Sequence, residues 1–165
     1  MSILIENQIG YQNLSALITT AIFDGMHYRP RIDFDLLKKH SEGLIALTSG
    51  LNGPIGSTFF GREPEQESRE NIERLADIFG EDHLFLELQD FAIPEQDQMN
   101  ALTRTIASEF ALKTIVSNDV RHITAQDAVT LDILNCVAYN NNVDDPTRLK
   151  LQTDQQYFKT EAEMR

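Results

Sequence analysis

The chain has 165 residues, and its 26 acidic and 14 basic side chains leave a net charge of −12. Lys38-Lys39 is the only adjacent basic pair, so the clustered cations that displace counterions from a duplex are missing and this segment is not expected to bind nucleic acid directly. A hydrophobic fraction of 41% with 8 Gly and 5 Pro excludes a disordered chain and describes a domain able to bury a core.

The elements alternate between short apolar runs and helical periodicity. Ser2-Ile-Leu-Ile reads as a strand. A helix follows, with Tyr11, Leu14, Leu17, Ile18, Ala21 and Ile22 assigned to one face, and Asp24-Gly25 stops it. Asp33 caps a short helix through Leu36 and Leu37 that is expected to end at Gly43, and Leu44-Ile-Ala-Leu is the next strand. Gly50, Gly53 and Gly56 then punctuate a loop. No Gly-Lys-Ser/Thr follows, so turn geometry and not phosphate binding explains the spacing.

Pro64 opens an acidic helix that turns Ile72, Leu75, Ala76 and Phe79 inward, with Gly80 after it. Leu84-Phe-Leu-Glu-Leu is a strand. Pro94 opens a helix whose buried stripe is Met99, Leu102, Ile106 and Phe110. Lys113 to Asn118 reads as a buried strand, and Thr124-Ala-Gln-Asp127 as a capping box for a helix to about Tyr139. Asn140-Asn-Asn is a break, Asp144-Asp145-Pro146 a turn, and a further short element starts near Gln155. The last residues, Glu161 to Arg165, read as the start of a helix. Strands separated by helices predict a parallel sheet with helices packed outside it. Only four or five such units are present, against about eight in a closed barrel, so the expectation is a portion of a larger α/β fold, cut at both ends. Open strand edges predict a marginally stable or self-associating polypeptide.

Cys136, the only cysteine, lies in an apolar helical run and reads as a small core residue. One cysteine excludes a disulfide framework. No apolar run approaches the roughly 18 residues of a membrane span, and no signal-peptide n-region opens the chain. The expected location is the cytoplasm, with no membrane contact.

Chemistry concentrates at Ser117-Asn118-Asp119-Val120-Arg121-His122. An acid at the C-terminal end of a barrel strand stands where α/β enzymes place reactive groups. Residues 119 and 121 share a face of an extended chain, so Asp119 and Arg121 are expected to pair, while His122 faces away. Arginine keeps its proton and is no metal ligand. His27, His40 and His83 lack a second ligand at useful spacing and read as surface residues. Glu87 and Asp90 fall on opposite strand faces and read as solvated or capping groups. No Ser/His/Asp nucleophile arrangement is present.

Six segments in order carry a resemblance. They are Glu6-Asn7 with Gly10 to Leu14, Tyr28-Arg29-Pro30-Arg31-Ile32-Asp33, Glu42 to Leu47, Leu86 to Asp90, Ser117 to Val120, and Asp144 to Arg148. Together they resemble the polymerase-and-histidinol-phosphatase (PHP) domain of bacterial DNA polymerase III alpha subunits. The resemblance implies that residues 1–165 are the C-terminal part of a distorted (βα)7 barrel with parallel strands and outer helices. Metal-binding members hold divalent Zn, Mn or Mg at one barrel mouth and act as phosphoesterases or 3'-5' nucleases; others keep the domain as a scaffold. Their paired histidines would precede Met1. Of the positions within this chain, the cysteine position holds Gly50, the aspartate position is kept as Asp119, and the histidine two residues on is Arg121. The implied reading is a degenerate metal site of which Asp119 remains, no catalytic residue, and no bound cofactor. The implied partners are the rest of the polymerase alpha chain, which holds the polymerase chemistry, and the proofreading exonuclease subunit. The alternative is a phosphoesterase or nuclease completed by His122 or an upstream residue.

Overall fold

The structure, a computed structural model, describes residues 1–58, 64–148 and 153–164. In chain order its elements are β1 (Ser2–Ile5), α1 (Gln8–Phe23), α2 (Phe34–Lys39), β2 (Leu44–Leu47), α3 (Pro64–Phe79), β3 (Leu84–Leu88), α4 (Pro94–Glu109), β4 (Lys113–Val116), α5 (Ala128–Ala138) and α6 (Glu161–Met164). Local chemistry sets most of these limits. Asn7 Oδ1 accepts the Ile9 and Gly10 amides at the start of α1, and Asp33 Oδ1 accepts the Leu36 amide at the start of α2. Proline opens α3 and α4, each with acids in its first turn, where the helix dipole favours them. Thr124 and Asp127 form the reciprocal capping box before α5. Asn140, in the left-handed region at φ 54°, follows its end.

The chain forms two compact units, Met1–Glu87 with Ala101–Ile115 and Leu88–Asn100 with Val116–Arg165. The strands make one sheet in the order β1-β2-β3-β4. β2 and β3 are parallel, with Ala46 beside Leu84. The core of the first unit joins Leu17 and Ala21 of α1, Leu44 and Ala46 of β2, Ile72, Leu75 and Phe79 of α3, and Leu84 and Leu86 of β3. Ile106 and Ala107 of α4 are buried as well. The start of α1 meets the turn before β2 backbone to backbone. A Cβ on Gly10 would lie 1.8 Å from the Gly43 carbonyl oxygen, and the Glu6 amide donates to that same oxygen, so only glycine fits at position 10.

Several expectations are corrected. β1 pairs antiparallel with β2, Ser2 opposite Leu47 and Ile5 opposite Leu44. Both α1 and α2 lie between these strands, in place of the single crossover helix of a parallel pair. β4, at the edge of the described sheet, ends at Val116, and all four of its residues are exposed. α1 buries only Gly10, Leu17 and Ala21, leaving Tyr11, Ile18 and Ile22 exposed. α2 ends at Lys39, and Gly43, at φ 72°, belongs to the turn into β2. Ala76, Leu102 and Phe110 are only half-buried, while Thr103 is buried within the α4 stripe. Cys136 is buried as expected. The terminal helix is described as Glu161–Met164, and Arg165 lies outside the described residues. No helix among the described residues is long and apolar enough to cross a membrane.

Candidate functional site

The second unit is built on polar side chains that tie distant segments together. Asn100 Nδ2 donates to the Gln89 carbonyl at 2.7 Å, and the Gln89 amide donates back to Asn100 Oδ1 at 3.4 Å. Gln89 Nε2 donates to Ser117 Oγ, and the Ser117 amide to the Leu88 carbonyl. Asn118 follows β4 and donates through Nδ2 to the carbonyls of Gln155 (3.1 Å) and Tyr157 (2.7 Å). The segment 153–158 is thereby strapped alongside residues 118–122. The Arg121 and His122 amides donate to the Gln156 carbonyl, and the Phe158 amide donates to the His122 carbonyl.

This strap orients Asp119. Its Oδ2 accepts Arg121 Nε at 3.0 Å, Arg121 Nη2 at 2.8 Å and Gln156 Nε2 at 3.1 Å. The ion pair expected from the spacing is therefore formed, although β4 stops at Val116 and the contact is made across a loop. Both partners are more than a third exposed, so the pair contributes about 0.2–1 kcal/mol. Its chemical effect is larger than its energy. The oxygen facing the guanidinium already has three N–H donors, and Arg121 puts a fixed positive charge against it.

His122 is buried, with Nδ1 2.8 Å from the Thr124 carbonyl oxygen. A carbonyl only accepts, so Nδ1 carries the proton. Nε2 is buried with no hydrogen-bond partner in the structure. Among the described residues no group of three or more His, Cys, Asp or Glu side chains is arranged to hold a metal ion.

Capping acids surround it. The Thr124 hydroxyl and amide hold the Asp127 carboxyl below its ordinary value. The Thr147 hydroxyl and amide do the same for Asp145. The Thr160 amide, helped by the Tyr157 and Thr160 hydroxyls, does so for Glu163.

The other candidates lie elsewhere. Gly50 sits in the loop after β2, which Glu87 pins: the Ser49 amide donates to Glu87 Oε2, and the Glu87 amide donates to Thr48 Oγ1 at 2.9 Å. Glu87 is buried, so of its two expected roles it takes the capping one, in the core and not in solvent. Asp90 is exposed and accepts the Ala92 amide. His27 is exposed, His40 Nδ1 lies 3.1 Å from Asn13 Oδ1, and His83 Nε2 lies 3.5 Å from Glu6. The bonding roles of Asn118 and Gln156 are not predicted by the sequence. Their partners stand up to 39 residues away, and no local pattern signals such a bond.

A family model described as "PHP domain" matches residues 1–91. The chain belongs to the PHP domain family. Its PHP relatives among curated proteins include DNA polymerase III subunit alpha of Treponema pallidum (strain Nichols), 37% identical across 98% of this chain and 14% of that protein. The subunit of the same name from Thermus aquaticus is 32% identical across 100% of this chain and 13% of its own length. That from Aquifex aeolicus (strain VF5) is 38% identical across 76% and 11%. This PHP chain thus spans about a seventh of the length of the relatives it matches.

Proposed function

We propose that this chain is a PHP segment of a bacterial replicative DNA polymerase alpha subunit, and that it works as a structural and docking module with a degenerate metal site. The observation that carries the reading is the Arg121 guanidinium on Asp119 Oδ2 through both Nε and Nη2. A carboxylate held this way contributes no free negative charge to attract a divalent ion, and its partner repels one. On this reading the polymerase chemistry resides in the rest of the alpha chain. The PHP segment supplies a folded platform on which the proofreading exonuclease subunit docks.

Elemental analysis of the purified protein, dialysed first against zinc or manganese and then against buffer, tests the degenerate site. No stoichiometric ion is the expected result. One equivalent of either metal, lost on Asp119→Ala, would refute the reading.

One observation favours a second reading, a metal-dependent phosphoesterase or 3'-5' nuclease. His122 donates through Nδ1 to a backbone carbonyl and keeps an unpartnered Nε2 lone pair, the orientation in which histidines ligate metals. That reading requires metal-stimulated phosphoesterase activity that disappears in both Asp119→Ala and His122→Ala; activity unchanged by either substitution dismisses it.

A further inference from the structure

α5 is built inside out. Helical residues lie about 100° apart around the axis, so Val129, Ile133, Val137, Thr130, Leu134 and Ala138 follow one another across one half of the helix. All six are exposed. Val137 is 74%, Val129 68%, Leu134 59% and Ile133 46% exposed. The other half holds Leu131, Asp132 and Asn135, all half-buried, and Cys136, which alone in α5 is buried. Asp132 Oδ2 accepts Arg148 Nη2 at 2.6 Å, and this pair neutralises the only charge on the helix. A surface helix ordinarily turns its apolar stripe to the core and its polar side to water. α5 does the reverse.

Such a helix needs cover. An isolated helix of 11 residues is marginal in water, and helices in proteins draw most of their stability from packing an apolar face. One buried residue supplies little of that. The cover is therefore a standing one, because a partner that comes and goes would leave four large apolar side chains in water at each departure. The face also has the character of a permanent interface, apolar and without charge. The nearest acids in sequence lie off the helix. Asp127 is held by Thr124 before it starts, and Asp144 follows the Asn140–Asn142 break. A second copy would bring its own net charge of −12, which opposes close approach. Nucleic acid finds no cation on the face. The length of the relatives points to the occupant: this chain spans about a seventh of proteins that match nearly all of it.

We propose that the Val129–Ile133–Val137 face of α5 is the seat of a segment from the remainder of the alpha chain, which packs on it permanently through an uncharged apolar surface of its own. The second unit then anchors the PHP segment to the rest of the same polypeptide. The inference rests on the reading of this chain as part of a polymerase alpha subunit and does not depend on whether Asp119 binds a metal.

The test is made in the full-length alpha chain. Val137→benzoylphenylalanine introduces a photo-crosslinking side chain on the face. Irradiation is expected to give a product of monomer mass whose joined peptide, read by tandem mass spectrometry, lies outside the 165 residues. In a second variant, Ile133→Asp should quicken hydrogen exchange across residues 128–138 about tenfold or more. Arg104→Glu, at an exposed position of α4, should change it less than about twofold. Circular dichroism of each variant separates lost packing from lost fold. A joined peptide from within these residues overturns the proposal. So does a product of dimer mass, which reassigns the face to a second copy, or joining to added exonuclease subunit alone, which reassigns it to that partner. Exchange indifferent to Ile133→Asp overturns it as well. Each of those outcomes leaves the polymerase reading standing. A reading frame that encodes no further polymerase domain would instead sink that reading, and this inference with it.

Discussion

The two units are held together by different chemistry. The first is an apolar core between helices and sheet, in which Ile72, Leu84, Leu86 and Ile106 are fully buried. In the second, the buried apolar side chains among the described residues are Phe91, Met99 and Cys136, while Gln89, Gln96, Asn100 and His122 are buried polar. Its segments are joined by side-chain hydrogen bonds to backbone that reach as far as Thr153 to the Phe91 carbonyl and Lys159 to the Asp90 carbonyl. Apolar packing is non-directional and tolerates shape-conserving change. Hydrogen-bonded straps are directional, and a single unmade partner is costly. The candidate site lies in the unit of the second kind, where side-chain orientation is specified one bond at a time.

Truncating the first unit's core should have the largest effect. Leu84→Ala is expected to cost about 2–5 kcal/mol, read as a lowered urea midpoint. A loss under about 1 kcal/mol would mean that the sheet is not packed as described. Next is the polar unit. Asn100→Ala deprives the Gln89 carbonyl of its 2.7 Å donor and should cost about 1–3 kcal/mol. Hydrogen exchange should quicken first in residues 88–100 and 116–148, and uniform quickening across both units would blur the contrast.

The smallest effect is in acid. Asp127, Asp145 and Glu163 in the second unit, and Asp82 and Glu109 in the first, all sit below their ordinary values. The folded state therefore binds fewer protons than the unfolded chain in that window. Stability is full above the ordinary values of 3.8 for Asp and 4.5 for Glu and is lost as pH falls through them toward the folded values. The causes differ between units. Lys113 and Arg69 lower Asp82 and Glu109, whereas hydroxyls and amides lower the other three. About 1 M salt should blunt the acid sensitivity of the first unit and spare that of the second. Thermal melts across pH 2–6 at two salt concentrations, each followed by hydrogen exchange, would measure this; equal salt dependence in both units would count against it.

Much of the fold was legible in local chemistry. Asp33, Pro64, Pro94, Gly80 and the Thr124–Asp127 box mark helix limits because each satisfies or omits a backbone group within a few residues. The Asp119–Arg121 pair was legible for the same reason, since its partners are two residues apart. The burial of Glu87 was not, because its acceptor role is set by Ser49, 38 residues away.

By itself the sequence determined where the capped helices α2 to α5 begin and that Asp119 would meet a guanidinium. Tertiary structure alone decided that β1 runs against β2, that β4 and the Tyr11–Ile18–Ile22 side of α1 face outward, and that residues 153–158 strap the Asp119 loop. The physical reason is range. Caps and periodicity are satisfied within a turn or two of chain, whereas strand direction, exposure and buried polar pairing depend on segments that meet only after folding.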